Sequence, residues 1–142
     1  MRFISFLLPF LFILSECDLL QDEYNSYDYT IEQEMGCFCP QAGTWVKLFV
    51  RADSVSKAIR ISDMHHLSYN EFRYYKSIKG LFNEIALRDT ARYEVEVVMD
   101  SKNNYPAYVY FNPKPTIVSG DTVMVIKDAQ LSYTTRNFSE SD

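Results

Sequence analysis

Ser77-Ile78-Lys79-Gly80-Leu81-Phe82-Asn83-Glu84-Ile85 sets Ile78, Leu81, Phe82 and Ile85 at i, i+3, i+4 and i+7, one apolar stripe of an amphipathic helix. Ser77 is the expected N-cap, and the pattern fades near Asp89. Gly80 weakens the helix by about 1 kcal/mol relative to Ala. No Glu or Gln stands at the third helical position to complete a capping box. Outward from this stretch, in both directions, the period changes from 3.6 to 2.

Upstream, Tyr27, Tyr29, Ile31 and Met35 alternate with Asp28, Thr30, Glu32 and Glu34, the pattern of a strand with one buried and one wet face. Thr44 to Arg51 repeats it, with Val46, Leu48 and Val50 on one side and Trp45, Lys47, Phe49 and Arg51 on the other, which is only partly polar. Val55 to Ile61 is a third strand, joined through Ala52-Asp53-Ser54 as a hairpin. Residues 63–76 carry both histidines, Tyr69, Phe72, Tyr74 and Tyr75 without a clean period, and read as an ordered connection with a helical turn. Downstream, Tyr93, Val95, Val97 and Met99 alternate with Glu94 and Glu96, Ser101-Lys102-Asn103-Asn104 turns the chain, and Ala107 to Asn112 returns. Pro113 and Pro115 interrupt, Ser119-Gly120-Asp121 turns again, Thr122 to Lys127 is the expected last strand, and residues 134–142 read as a frayed polar tail. The expectation is an α+β domain over residues 27–133, an antiparallel sheet of about six strands in the order β-β-β-α-β-β-β with one helix packed on one face.

The amino terminus reads as an address. Arg2 precedes an apolar run from Phe3 to Leu14, broken only by Ser5 and Pro9. That run is short of the roughly 20 apolar residues a membrane span needs, and fits the about 7 to 15 of a signal h-region. Leu14-Ser15-Glu16-Cys17 then resembles a bacterial lipoprotein signal, although Glu16 stands where such signals carry a small residue. The reading is a signal peptide over residues 1–16, a lipidated Cys17, an acidic spacer to residue 26, and a domain exported to the cell envelope. Ordinary cleavage near the same point would give a secreted protein, and an uncleaved anchor is the third reading.

The chain has 142 residues, 47% of them hydrophobic, so one modest core can form and disorder is not the main state. With 14 basic against 19 acidic residues and a net charge of −5, a phosphate backbone is not the natural partner. Removal of residues 1–16 takes away one charge of each sign, Arg2 and Glu16, so lipid rather than electrostatics would hold the mature domain at a membrane.

Tyr27-Asp28-Tyr29, Cys37-Phe38-Cys39-Pro40, Ile78 with Leu81-Phe82 and Ile85, and Val97 to Asp100 followed by Tyr105-Pro106 together resemble a bacterial domain of unknown function, family 6174. The resemblance covers about residues 24 to 131. It implies small exported proteins, often lipoproteins, and transfers an architecture and a compartment but no catalytic residue. Asn104 stands where Gly is expected before Tyr-Pro, and Asn also tolerates positive φ.

Candidate chemistry is sparse. Cys37 and Cys39 can close a disulfide only if the strand tightens there, which Gly36 and Pro40 favour. Free thiols under the sheet, a redox-active dithiol and metal ligation are the other readings of the pair. His65 and His66 could join them as a four-ligand zinc set, though the spacing is not that of a finger. Glu94 and Glu96 read as a solvated strand face rather than an acid-base pair. No catalytic residue and no cofactor is assigned. Tyr69, Tyr74, Tyr75, Tyr105, Tyr108 and Tyr110 are candidates for an aromatic surface that binds a protein, peptide or glycan. The leading expectation is therefore a non-enzymatic, lipid-anchored envelope protein with a binding or structural role. Its rival is a small thiol-redox or metal-handling protein centred on the Cys-x-Cys pair.

Overall fold

A computed structural model describes residues 26–88, 90–117, 124–125 and 130–141. Among these residues eight strands, β1 (Tyr29–Gly36), β2 (Val46–Arg51), β3 (Ser54–Arg60), β4 (Tyr93–Met99), β5 (Pro106–Pro113), β6 (Thr116–Ile117), β7 (Met124–Val125) and β8 (Leu131–Glu140), accompany two helices, α1 (Tyr69–Phe72) and α2 (Ile78–Leu87). Six strands form one antiparallel sheet in the order β3-β2-β1-β8-β5-β4, and β6 pairs with β7 in a separate ladder. The β-β-β-α-β-β-β order read from the sequence is the order observed.

The sixth strand is not where the periodicity placed it. Of the expected strand at Thr122 to Lys127, only Met124–Val125 is described. The place is taken by β8, ten residues long, pairing with β1 on one side and β5 on the other. Residues 134–142, expected as a frayed tail, thus supply most of a central strand through Glu140, and the domain boundary at 133 is corrected accordingly. The physical reason lies in the inward face of β8. It carries Tyr133 and Thr135, buried hydroxyl residues that satisfy themselves by hydrogen bonds, so little apolar alternation marks the strand. A bulge opposite Ile31, with Asn137 at φ 54°, then shifts the phase and turns Phe138 toward the rings of Tyr29 and Tyr105.

Alternation assigns one face of the sheet to the core. Ile31, Met35, Val46, Leu48, Val109, Phe111 and Tyr133 meet Leu81 from α2 there. Ser77 caps α2 as expected, its Oγ accepting from the Gly80 N–H at 3.0 Å and donating to the Asp53 carbonyl at 2.7 Å. Leu81 alone of the helix stripe is fully buried, while Phe82 remains 43% exposed. At the other end Arg88 pairs with Glu84 at 3.0 Å and lies over the Phe111 ring at 4.4 Å, a cation placed where the helix dipole favours one. The connection before α2 contains the anticipated helical turn, α1, whose capping box of Ser68 and Glu71 went unread in the sequence.

The layers are joined by polar pins from the sheet. Gln33, fully buried in β1, accepts from the Lys76 N–H at 2.8 Å and donates to the Lys76 carbonyl at 3.1 Å, and its Nε2 also reaches Thr135 Oγ1 at 3.1 Å. The Ile78 N–H donates to Tyr29 Oη at 3.0 Å, and Tyr75 Oη donates to the Thr44 carbonyl at 3.2 Å. The β2–β3 turn places Ala52 and Asp53 at φ 49° and 63°, a strained pair secured by the Asp28 carboxylate on the Ala52 N–H and by Ser77 on Asp53. Asn104 adopts φ 52°, as its place before Tyr105-Pro106 required.

Two outcomes follow. Gln33→Leu leaves both backbone groups of Lys76 without their partners and is expected to cost about 3 kcal/mol, measured by urea denaturation. A chain ended after Tyr133 loses the strand that joins β1 to β5 and is expected to show no cooperative unfolding transition in circular dichroism.

Candidate functional site

The sheet has a second face, turned away from α2. Its residues come from the alternate positions of each strand: Lys57 on β3; Lys47 and Phe49 on β2, with Trp45 just before it; Glu32 on β1; Arg136 and Thr134 on β8; Tyr108 and Tyr110 on β5; Glu94 and Glu96 on β4. At the β2–β8 end, the Arg136 guanidinium lies 3.7 Å from the Trp45 ring centroid and its Nε donates to Glu32 at 2.9 Å. Asn137 donates to the same Glu32 oxygen at 2.8 Å. Lys47 and Lys57 stand 5.7 and 5.2 Å from the Phe49 ring, and Tyr27 meets Phe49 edge-on. At the β5–β4 end, Tyr108 and Tyr110 stack at 6.5 Å, and an open depression of about 420 Å³ is lined by Glu94, Val95, Glu96, Tyr110 and Asn112. Charge therefore runs from cationic at β2 and β3 to anionic at β4.

Of the six tyrosines expected to form one surface, Tyr108 and Tyr110 lie together on this face. Tyr69 and Tyr74 are exposed on the connection around α1. Tyr75 and Tyr105 are not surface residues: both are buried, their rings filling the core side, and this corrects the expectation for them. Burial pushes the Tyr75 phenol up to about 12, with Glu34 adding to the effect and Arg60 opposing it, and burial also raises Tyr133, Tyr29 and Tyr105. These buried phenols serve the packing. Sequence reasoning passed over Trp45 and Phe49 as surface aromatics, although the signal was present in the partly apolar face of Thr44 to Arg51.

Cys37 and Cys39 lie at disulfide distance, with Cα atoms 5.3 Å apart, where β1 ends and the chain turns back so that the Gly43 N–H bonds the Met35 carbonyl at 3.1 Å. The turn holds Phe38 outward, 91% exposed. His65 and His66 are exposed on a segment that runs along β3, the Arg60 N–H donating to the His65 carbonyl at 2.8 Å and the Leu67 N–H to the Ala58 carbonyl at 3.0 Å. Among the described residues no three His, Cys, Asp or Glu side chains converge as a metal site would require, so the two cysteines and two histidines are not brought together as one ligand set. Cys17 lies outside the described residues.

The model of a protein family described as Family of unknown function (DUF6174) matches residues 20–138. The matched span includes most of β8, in agreement with its central place in the sheet. No curated protein and no solved structure gives a significant match.

The Tyr75 shift has a readable sign. Its folded pKa of about 12 exceeds the unfolded value of about 10, so the neutral phenol favours the fold; that stabilisation is complete below pH 10 and disappears as pH rises toward 12. Tyr75→Phe is expected to lower stability by about 1 kcal/mol at neutral pH through loss of the Thr44 bond, and to flatten the alkaline fall in stability, both read from urea unfolding across a pH series.

Proposed function

The chain belongs to this family of unknown function (DUF6174), whose description assigns no activity, and we propose on that premise that it is a non-enzymatic binding domain held at a bacterial cell envelope by lipid on Cys17. The observation that carries the binding role is the inequality of the two sheet faces. One is closed by α2 and the pinned connection before it. The other leaves Trp45, Phe49, Tyr108 and Tyr110 only half-buried among charged side chains. Rigid aromatic area with polar tips, interleaved with charge, is the composition of recognition surfaces rather than of cores.

The anchoring role rests on sequence. The apolar run Phe3 to Leu14 and Cys17 both precede residue 20, where the family match begins, which supports reading address and domain as separate segments. Among the described residues no helix is long and apolar enough to cross a membrane. A diacyl chain on Cys17 with the spacer to residue 26 would hold the domain close to the bilayer while leaving the open face accessible. The paired Cys37 and Cys39 then serve as a clip at the end of β1, in a compartment that favours the oxidised form.

Mass spectrometry of the mature protein from its own host is expected to show a lipid-modified Cys17 as the first residue and no free thiol at Cys37 or Cys39; an unmodified amino terminus elsewhere sinks the anchor. A photo-crosslinking residue at Tyr108 is expected to trap a discrete partner in cells, whereas one at Leu87, the more exposed of the two and on the helix side, is not. Equal trapping from both positions would remove the open face as the binding surface.

A further inference from the structure

The sheet has two edges, and they are treated differently. Along β3 the outer edge is occupied by residues 65–67, through the Arg60–His65 and Ala58–Leu67 backbone bonds. Along β4 nothing described pairs with the outer edge from Glu94 to Met99, β5 being its one ladder partner among the described residues. This edge is also apolar: Val97, Val98 and Met99 are 37%, 50% and 43% exposed. An unpaired strand with accessible apolar side chains is a template for another strand.

Charge decides which strand fits. Glu94 and Glu96 stand exposed on the open face beside the depression that Tyr110 and Asn112 share, and neither has an ion-pair or hydrogen-bond partner among the described residues. A second copy of the chain is a poor occupant. In the antiparallel register that pairs the whole of β4 with itself, Glu96 falls opposite Glu96 and repels it; a shift of two residues one way sets Glu94 opposite Glu96, and the other way sets it opposite Asp100. An extended segment with Lys or Arg at alternate positions meets both carboxylates. Its intervening residues, if apolar, extend the row formed by Val95, Val97 and Met99 on the helix side.

We propose that β4 is a docking edge for an extended, basic polypeptide segment of alternating cationic and apolar residues, which adds a seventh strand to the sheet. This rests on the reading of the domain as a binding module and names the chemistry of its partner. Backbone bonds to the edge supply the affinity, and Glu94 and Glu96 supply register and selectivity. Tyr108 and Tyr110, two strands in, offer their ring faces to long cationic side chains that reach across β4.

A short blocked peptide alternating Lys and Val, labelled for fluorescence polarisation and titrated with the purified full-length chain, tests the proposal. Binding is expected to weaken by roughly tenfold or more when alternate peptide nitrogens on the docking edge are methylated, and by a similar factor in Glu94→Lys with Glu96→Lys. A Glu/Val peptide should bind that double variant better than the native chain, which shows that the variant is folded. Backbone amide shifts in the native complex should centre on Glu94 to Met99. No binding of the Lys/Val peptide, equal binding of its methylated form, or shifts centred on Trp45 and Phe49 would overturn the proposal. If Tyr108 crosslinking still traps its partner in the Glu94→Lys, Glu96→Lys chain, the binding module stands and the edge does not; loss of both places the failure in the binding reading itself.

Discussion

A buried amide has to be answered on both of its ends, and the amide of Gln33 is answered by the two backbone groups of a single residue, Lys76. Full burial removes water as an alternative partner for the Gln33 amide, so the segment before α2 has one place on the sheet where that amide is satisfied. Tyr29 and Tyr75 add hydroxyl bonds on either side of that contact, to the Ile78 N–H and the Thr44 carbonyl. Apolar packing through Leu81 supplies attraction without direction, whereas the Gln33 pin supplies register. It fixes which face of the sheet is closed and, in consequence, which is left open.

That division explains what the sequence could reveal. Strands with one apolar face, such as β2 and β5, announce themselves by alternation, and α2 does so by its stripe and its Ser77 cap. Gln33 stands in the same phase as Ile31 and Met35 and is just as buried, but a hydropathy pattern scores it as an interruption. The same holds for β8, whose inward positions are Tyr133 and Thr135 and whose phase breaks at Asn137. Thr135 is inward because Gln33 needs it, so two polar residues that look like exceptions are one interaction seen from two strands. Turn chemistry was more legible. Asp100 accepts from the Lys102 and Asn103 N–H groups and Asn104 takes a positive φ, as that run of residues requires.

The candidate surface was legible only in part, for a related reason. Tyrosine signals both packing and recognition, and nothing local distinguishes Tyr75 and Tyr105, which are buried, from Tyr108 and Tyr110, which face outward. Strand phase does distinguish them: Tyr108 and Tyr110 alternate with Val109 and Phe111 across β5, while Tyr75 lies in a connection with no period. Trp45 and Phe49 became surface residues once β2 was seen to share its other face with the core.

Within the open face, the two ends differ in how far their charges are already satisfied. Arg136 is held by the Trp45 ring and by Glu32, Glu32 also receives Asn137, and Lys47 and Lys57 share the Phe49 ring. A ligand arriving there must compete with contacts the protein makes for itself, and most of the interaction gained would replace one lost. At the β4 end, Glu94 and Glu96 have no ion-pair or hydrogen-bond partner among the described residues, and no described strand pairs with the adjoining backbone edge. New contacts there break none of those seen among the described residues. Selectivity in such a place comes from sign and spacing rather than from shape, because a strand edge accepts any extended backbone and only the carboxylates two residues apart discriminate among side chains.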